Sequence, residues 1–250
     1  MEMAARLTGV LYTYQTHALY VGALIASARH RHHAGQVMWA PGGLVVEDEE
    51  GSRHHAITHL VPPNRFHSHG PAQAAAVLWV DRDDLQWGRA LNGPQDAFRG
   101  FAIGVRLDES LEPEDAREVA RALLAVVAPA DGSQEYAPRH SAVKRMCALL
   151  DTNASEHAIG MTQLARQSGL SMRQLRHRFT EELGLNPRAY LRWRRLRRAI
   201  ASIERGASLT EAALEGGFAD GAHFSRVFQA QFGMAPSQAL SSIRFAGPLA

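Results

Sequence analysis

The stretch MTQLARQSGLSMRQLRHRFTEELG (residues 161–184) decides the architecture, because its pattern returns as SLTEAALEGGFADGAHFSRVFQAQFG (208–233). In the first copy Leu164 and Ala165 share the inner face of a short helix. Gly169 supplies a tight turn, and Ser171 is placed to cap the next helix. Leu175 and Phe179 stand four apart and so share a buried face, which points Arg173, Arg176 and His177 elsewhere. In the second copy Ser208 and Glu211 form an S-x-x-E capping box. Ala212, Ala213 and Leu214 continue that helix, Gly216-Gly217-Phe218 turns, and Asp220 caps the helix beyond. Phe224 and Phe228 repeat the spacing of Leu175 and Phe179, leaving His223 and Arg226 outward. Two helix–turn–helix patterns in one segment are stronger grounds than either alone.

Between the copies, NPRAYLRWRRLRRAIASIERG (186–206) reads as one helix opened by Pro187 and closed by Gly206. From Pro187 to Glu204 it would span roughly 27 Å, enough to set two recognition helices about 34 Å apart, one turn of B-DNA. Leu191, Leu196, Ile200 and Ile203 read as its core stripe. Arg192, Arg194, Arg195, Arg197 and Arg198 line the remainder, as phosphate contacts or as a solvated face.

Charge supports a nucleic-acid partner. The formal net charge of +2 divides into −6 over residues 1–138, from 11 Lys+Arg and 17 Asp+Glu, and +8 over 139–250, from 16 and 8. Fifteen of those 16 C-terminal cations are arginine, whose planar fork suits phosphate oxygens and guanine edges. The single cysteine, Cys147, excludes an internal disulfide framework and a Cys-rich zinc module, and reads as a small buried apolar residue. No apolar run approaches the length of a membrane span, and the N-terminus lacks a secretory pattern. The expectation is a cytoplasmic protein with no membrane partner.

The N-terminal half reads as short β segments at 19–27, 35–41, 43–47, 54–61 and 74–80, separated by turn material at 41–43, 47–52 and 62–64, with a further strand at 98–107. Such spacing predicts a sandwich or small barrel. Helix takes over at 112–128, with Val119, Leu123, Val126 and Val127 on one stripe. That stripe meets either a second copy of the chain, as a homodimer contact, or the chain's own sheet. The domain expectation is 1–130 for an effector-binding and dimerisation domain, 131–138 for a linker, and 139–250 for the helical DNA-binding domain.

Ser171, Leu175, Phe179 and Gly184, followed by Tyr190, Arg195 and Ala199, closely resemble the first half of an AraC/XylS-type DNA-binding domain. Residues 216–236, with a Gly-Phe turn, Phe-Ser-Arg-x-Phe and a closing Gly-x-x-Pro, resemble its second half. The likeness implies a sequence-specific regulator, an activator more readily than a repressor, which contacts double-stranded DNA and RNA polymerase. Mapped onto this sequence, the DNA-binding candidates are Ser171, Arg173, Gln174, Arg176 and His177 in the first copy and Gly221, His223, Ser225 and Arg226 in the second. Arg194 and Arg195 join them from the connector. His177 stands where the family usually has arginine, and Gly221 and Ala222 are small where base-contacting side chains often sit. The second helix is therefore expected to position phosphates more than to read bases.

Nine of the 13 histidines lie in residues 1–138. His30-x-His32-x3-Gln36 and Pro62-x-Asn64-x-x-His67 resemble the two cupin motifs, with Gln36 for the usual acid and Asn64 for the usual glycine. That likeness implies a cupin-like β-barrel as the N-terminal fold. Two histidines one residue apart on a strand share a face, and a third from a paired strand could complete a metal site. The favoured expectation is a metal-free pocket for a small-molecule effector, using His30, His32, Gln36, Trp39 and His67, with Trp79 nearby. No cofactor is expected. Metal at His30, His32 and His67 is the weaker alternative, and a cupin-type metalloenzyme the rival function.

Overall fold

The structure, a computed structural model, describes residues 8–13, 17–81, 112–127, 140–151, 157–240 and 243–248. The described chain resolves into two compact units, one of Met1–Gln134 with Ser225–Ala250, the other of Glu135–Phe224.

The first unit is built on strands β1 (Thr8–Thr13), β2 (His17–Leu24), β3 (Gly35–Glu47), β4 (Arg53–Val61), β5 (Ser68–His69) and β6 (Ala72–Val80). A last strand, β7 (Ile243–Pro248), comes from the far end of the chain. The sheet runs β4-β3-β6-β2-β1-β7, with β5 paired to β3. Its two ends, β4 and β7, are different strands that do not pair, so among the described residues the sheet is open. The cupin-like β-barrel expected from the histidine motifs is therefore corrected to an open sheet. Closure depends on pairing between strands distant in sequence, which local alternation does not encode. Here the free edge of β1 is taken by β7 in parallel, Gly9 opposite Ile243 and Leu11 opposite Phe245.

A second correction concerns Pro41-Gly42-Gly43. The sequence places a turn there, between two strands; the structure carries one 13-residue strand straight through it. Both halves of β3 pair with β4, and the register shifts between Trp39 and Leu44. The turn residues are thus absorbed as a bulge-like irregularity. The segment 98–107 and the expected linker 131–138 lie outside the described residues.

Helix α1 (Pro113–Val127) opens with proline and two acids. Its Ala116, Val119, Ala120, Leu123 and Leu124 join one buried cluster with Val10, Tyr12, Leu19, Val37, Trp39 and Leu78. Of the expected stripe, Val119 and Leu123 are thus satisfied by the chain's own sheet, the alternative to a dimer contact.

The second unit holds α2 (Ser141–Asp151), α3 (His157–Gln167), α4 (Met172–Leu183), α5 (Pro187–Glu204) and α6 (Leu209–Glu215). Its core gathers Val143, Met146, Cys147, Leu164, Leu175, Phe179 and Tyr190, and the Phe179 and Tyr190 rings meet edge to face at 5.4 Å. The division between units falls within α7 (Gly221–Phe232), which is followed by α8 (Pro236–Leu240). In α5 the buried face is Ala189, Tyr190, Trp193, Leu196 and Ala199. Of the expected stripe only Leu196 is fully buried, while Leu191, Ile200 and Ile203 are half-buried. None of the helices is long and apolar enough to cross a membrane among the described residues.

Candidate functional site

Two sets of residues carry chemistry: the outer faces of the capped helices, and a histidine cluster in the sheet unit.

The start of α4 is fixed by a reciprocal cap. The Gln174 N–H donates to Ser171 Oγ at 3.2 Å, and the Ser171 N–H donates to Gln174 Oε1 at 2.8 Å. Leu175, Phe179 and Leu183 are buried, so helical periodicity leaves Arg173, Gln174, Arg176 and His177 exposed. His177 lies 3.2 Å from Glu181, one turn on, in an exposed pair. Ser171 and the Gln174 oxygen are thus engaged in the cap, whereas Arg173 and Arg176 present open guanidinium groups.

In α7 the Asp220 Oδ1 accepts the His223 N–H at 2.6 Å, and Phe224 and Phe228 are buried. Arg226 is exposed; Gly221, His223 and Ser225 are half-buried. His223 sets its ring edge-on against Phe218 at 5.3 Å, which commits part of its surface to packing.

The α5 arginines divide by environment. Arg194 Nε sits 2.6 Å from Asp151 Oδ1, with its guanidinium 5.9 Å from the Tyr190 ring centre. Arg198 donates to the Asp151 carbonyl at 3.0 Å, and burial together with neighbouring Arg195 lowers its pKa. Asp151 was missed by sequence reasoning, since nothing local marks it as the partner of residues more than forty positions away. Arg192 is exposed, and Arg195 and Arg197 are half-buried.

In the sheet unit, residues 30 and 67 exchange two backbone hydrogen bonds of 2.9 Å, which clamps the two histidine-bearing segments together. Around that clamp His30, His32, His67 and Gln36 are all at most 4% exposed. Each imidazole is oriented from behind by a main-chain carbonyl. His30 Nδ1 donates to Ala28 O at 2.8 Å, His32 Nδ1 to Ala34 O at 2.7 Å, and His67 Nδ1 to Arg65 O at 3.1 Å. Because a carbonyl only accepts, all three protons are on Nδ1, and the Nε2 atoms of His32 and His67 face Gln36. Gln36 Oε1 approaches the Nε2 atoms of both His32 and His67 at 3.1 Å.

Burial, reinforced by neighbouring His32, lowers the His30 pKa from the ordinary 6.5 to about 3. The same burial, with His32 and His30 close by, takes His67 to about 2. His32 is also lowered by burial. The cluster is therefore neutral at pH 7. Asn64, which replaces the glycine of the motif, sits at φ +63°, a left-handed conformation that asparagine tolerates.

The two tryptophans separate. Trp39 lies on the opposite face of β3 from Gln36, by strand alternation, and is buried in the core under α1. The structure does not bring it to the cluster. Trp79 pairs directly with Gln36 across β6 and β3, so it shares the cluster's face, and its indole stands edge-on to Phe232 at 6.2 Å. Its buried Nε1–H has no acceptor among the described residues. A groove of about 840 Å³ lined by Leu60, Val61, Arg65 and Phe66, among others, includes His67 in its lining but not His30, His32 or Gln36.

Two capped helices with buried inner faces and exposed outer ones define a helix–turn–helix arrangement, and residues 164–242 match the family model described as a helix-turn-helix domain. Relatives named as transcriptional activators match this chain. The HTH-type transcriptional activator RhaS of Escherichia coli (strain SE11) is 36% identical over 74 residues, 29% of this chain and 27% of that protein. RhaS of Escherichia fergusonii is 32% identical over 97 residues, 38% of this chain and 34% of that protein. The chain thus spans only about a third of the length of these relatives or less. Over nearly the whole chain the fold resembles ToxT from Vibrio cholerae strain SCE256, solved with an unsaturated fatty acid bound. The TM-score is 0.54 at 16% identity, over 90% of this chain and 94% of that one. This is a likeness of fold.

Proposed function

We propose that this chain is a sequence-specific DNA-binding transcriptional regulator that receives a small-molecule effector in its sheet unit. The observation that carries the reading is α4: its inner residues are buried, and its exposed face offers Arg173 and Arg176 to a major groove. The RhaS relatives, named as HTH-type transcriptional activators, favour the same reading and an activator; contact with RNA polymerase in the cytoplasm belongs to that proposal. Gln174, His177, His223, Ser225, Arg226 and Gly221 complete the proposed DNA face. Arg194, paired with Asp151, and Arg195, half-buried beside it, serve to position α5 and to touch phosphate. A homodimer would use a surface other than the buried stripe of α1.

For the effector, the supporting features are the buried Trp79 N–H, which has no acceptor among the described residues, the buried imidazoles and the groove that includes His67. A buried donor left unpaired costs about 1–3 kcal/mol, and an effector oxygen placed against Trp79 would remove that cost. Effector binding changes DNA affinity only if it favours one of two states of the protein.

Footprinting on genomic fragments tests the reading. Arg173→Ala and Arg176→Ala are each expected to cost about 1–3 kcal/mol at the cognate site and to relax base preference there. An equal loss on every sequence would reassign that arginine to phosphate. Binding should also weaken steeply with salt, since each phosphate contact releases counterions; salt-independent binding would end the proposal.

A further inference from the structure

We propose that Gly233 and Phe232 are positioning residues for DNA recognition: docked on Ala28 and Trp79 of the sheet unit, they fix the second reading helix, α7. The proposal rests on reading α7 as a helix that meets DNA, and adds what holds it in place.

The helix is held from both ends. At its start, Asp220 accepts the His223 N–H, and Phe218 packs against Phe224 at 5.4 Å, all within the helical unit. From Ser225 onward the chain belongs to the sheet unit. The DNA candidates Ser225 and Arg226 therefore ride on the portion of α7 that the sheet unit carries.

Three observations within the sheet unit place the far end. The Ala28 N–H donates to Gly233 O at 2.9 Å, and Ala28 O accepts from His30 Nδ1 at 2.8 Å, so both main-chain groups of Ala28 are engaged. Gly233 is buried at φ +70°, and a β-carbon there would stand 2.3 Å from Ala28 O. Ending a helix calls for the left-handed glycine but not for this depth of packing: Gly169, at φ +65°, has nothing within 4 Å of its β-carbon position. Next to Gly233, the Phe232 ring lies edge-on to the Trp79 indole at 6.2 Å and against Phe228 at 4.6 Å. Beyond α8 the chain returns to the sheet as β7, paired in parallel with β1.

Geometry sets the size of the effect. The twelve residues of α7 move as a rod, because the ladder of backbone hydrogen bonds resists local bending. Bringing a β-carbon at Gly233 from 2.3 Å out to an ordinary contact of about 3.5 Å lifts the helix end on the order of 1 Å. Arg226, near the middle of the rod, then moves by about half of that. Functional side chains have to be held within about 0.5 Å of their productive geometry, so the lift spoils a base or phosphate contact without unfolding the helix.

Hydroxyl-radical footprinting of the full chain on its cognate fragment tests the positioning role. The unchanged protein is expected to protect two windows about one helical turn apart. Arg173→Ala marks the window of α4 and Arg226→Ala that of α7. Gly233→Ala and Phe232→Ala should each weaken the α7 window by about tenfold or more, the cost of one good contact, at protein concentrations that still fill the α4 window. Phe232→Ala keeps the proposal falsifiable should Gly233→Ala fail to fold. Gly51→Ala is the control: at φ +84°, with open space around its β-carbon position, it strains the same unit away from α7, and both windows should stay as they are.

Residues with a merely structural part would weaken both windows together. That result, or two windows unchanged in both variants, would overturn the positioning role and leave α7 as a DNA helix. A single window in the unchanged protein would instead sink the reading of α7 itself, and the proposal with it.

Discussion

Gly233→Ala is expected to destabilise the sheet unit by about 3 kcal/mol or more, where Gly169→Ala costs about 1–2 kcal/mol. The two glycines share one backbone conformation, at φ +70° and +65°, so the left-handed penalty of about 1–2 kcal/mol for a β-carbon is common to both. They differ in what that carbon would meet. At Gly169 there is nothing within 4 Å; at Gly233 it would lie 2.3 Å from Ala28 O and 2.7 Å from His30 Nδ1. Backbone occupies the first position and a buried, hydrogen-bonded ring the second, so neither yields cheaply. The helix end must lift away from residues 28–30, and the bond from the Ala28 N–H to Gly233 O goes with it. Urea denaturation of both variants, followed by tryptophan fluorescence, separates the contributions. Equal losses at the two positions would show that the contact at Gly233 is not formed.

That contact was not legible in the sequence, where Gly233 reads only as the glycine closing a helix. Helices were legible wherever the signal is local. Ser171 and Ser208 cap the helices they precede, and α5 runs from Pro187 to Glu204 as its proline and its closing glycine indicate. The face of α5 was read less well. Apolarity favoured Leu191, Ile200 and Ile203, but the buried row passes through Trp193, an aromatic flanked by arginines, and through the small Ala189 and Ala199.

In the sheet unit the individual strands follow β-propensity, while their assembly does not. An open sheet and a barrel share the same alternation, and Ile243–Pro248 is too short and mixed to announce a strand that pairs at the opposite end of the chain. The histidine cluster was found because His30-x-His32 forces two rings to one side and the Asn64 turn brings His67 back to them. Trp39 has the aromatic chemistry of a pocket residue, but its odd spacing from Gln36 puts it on the other face. Asp151 and its two arginines show the same limit: an ion pair depends on where chains meet, and composition does not say where.

Acidification from pH 7 to pH 5 is expected to remove about 4 kcal/mol of stability from the sheet unit through His30 and His67 alone. Both are held neutral in the fold, with pKa values lowered to about 3 and about 2, while in the unfolded chain each returns to the ordinary 6.5. Below pH 6.5 the unfolded state therefore binds protons that the folded state refuses, and stability falls as pH falls. The loss begins at the unfolded pKa and continues down to the folded one, at about 1.4 kcal/mol per pH unit for each ring. His32 and His69, lowered by burial in the same way, act in the same direction. Domains of ordinary stability hold about 5–15 kcal/mol in reserve, so the loss removes a substantial share of it by pH 5. Urea midpoints at pH 7, 6 and 5, measured by fluorescence in chelator-treated protein, give the slope directly. Replacing His67 by glutamine should lower that slope by about one proton. A midpoint that stays flat across this range would mean that the rings protonate in place, and so that water reaches them in the folded protein.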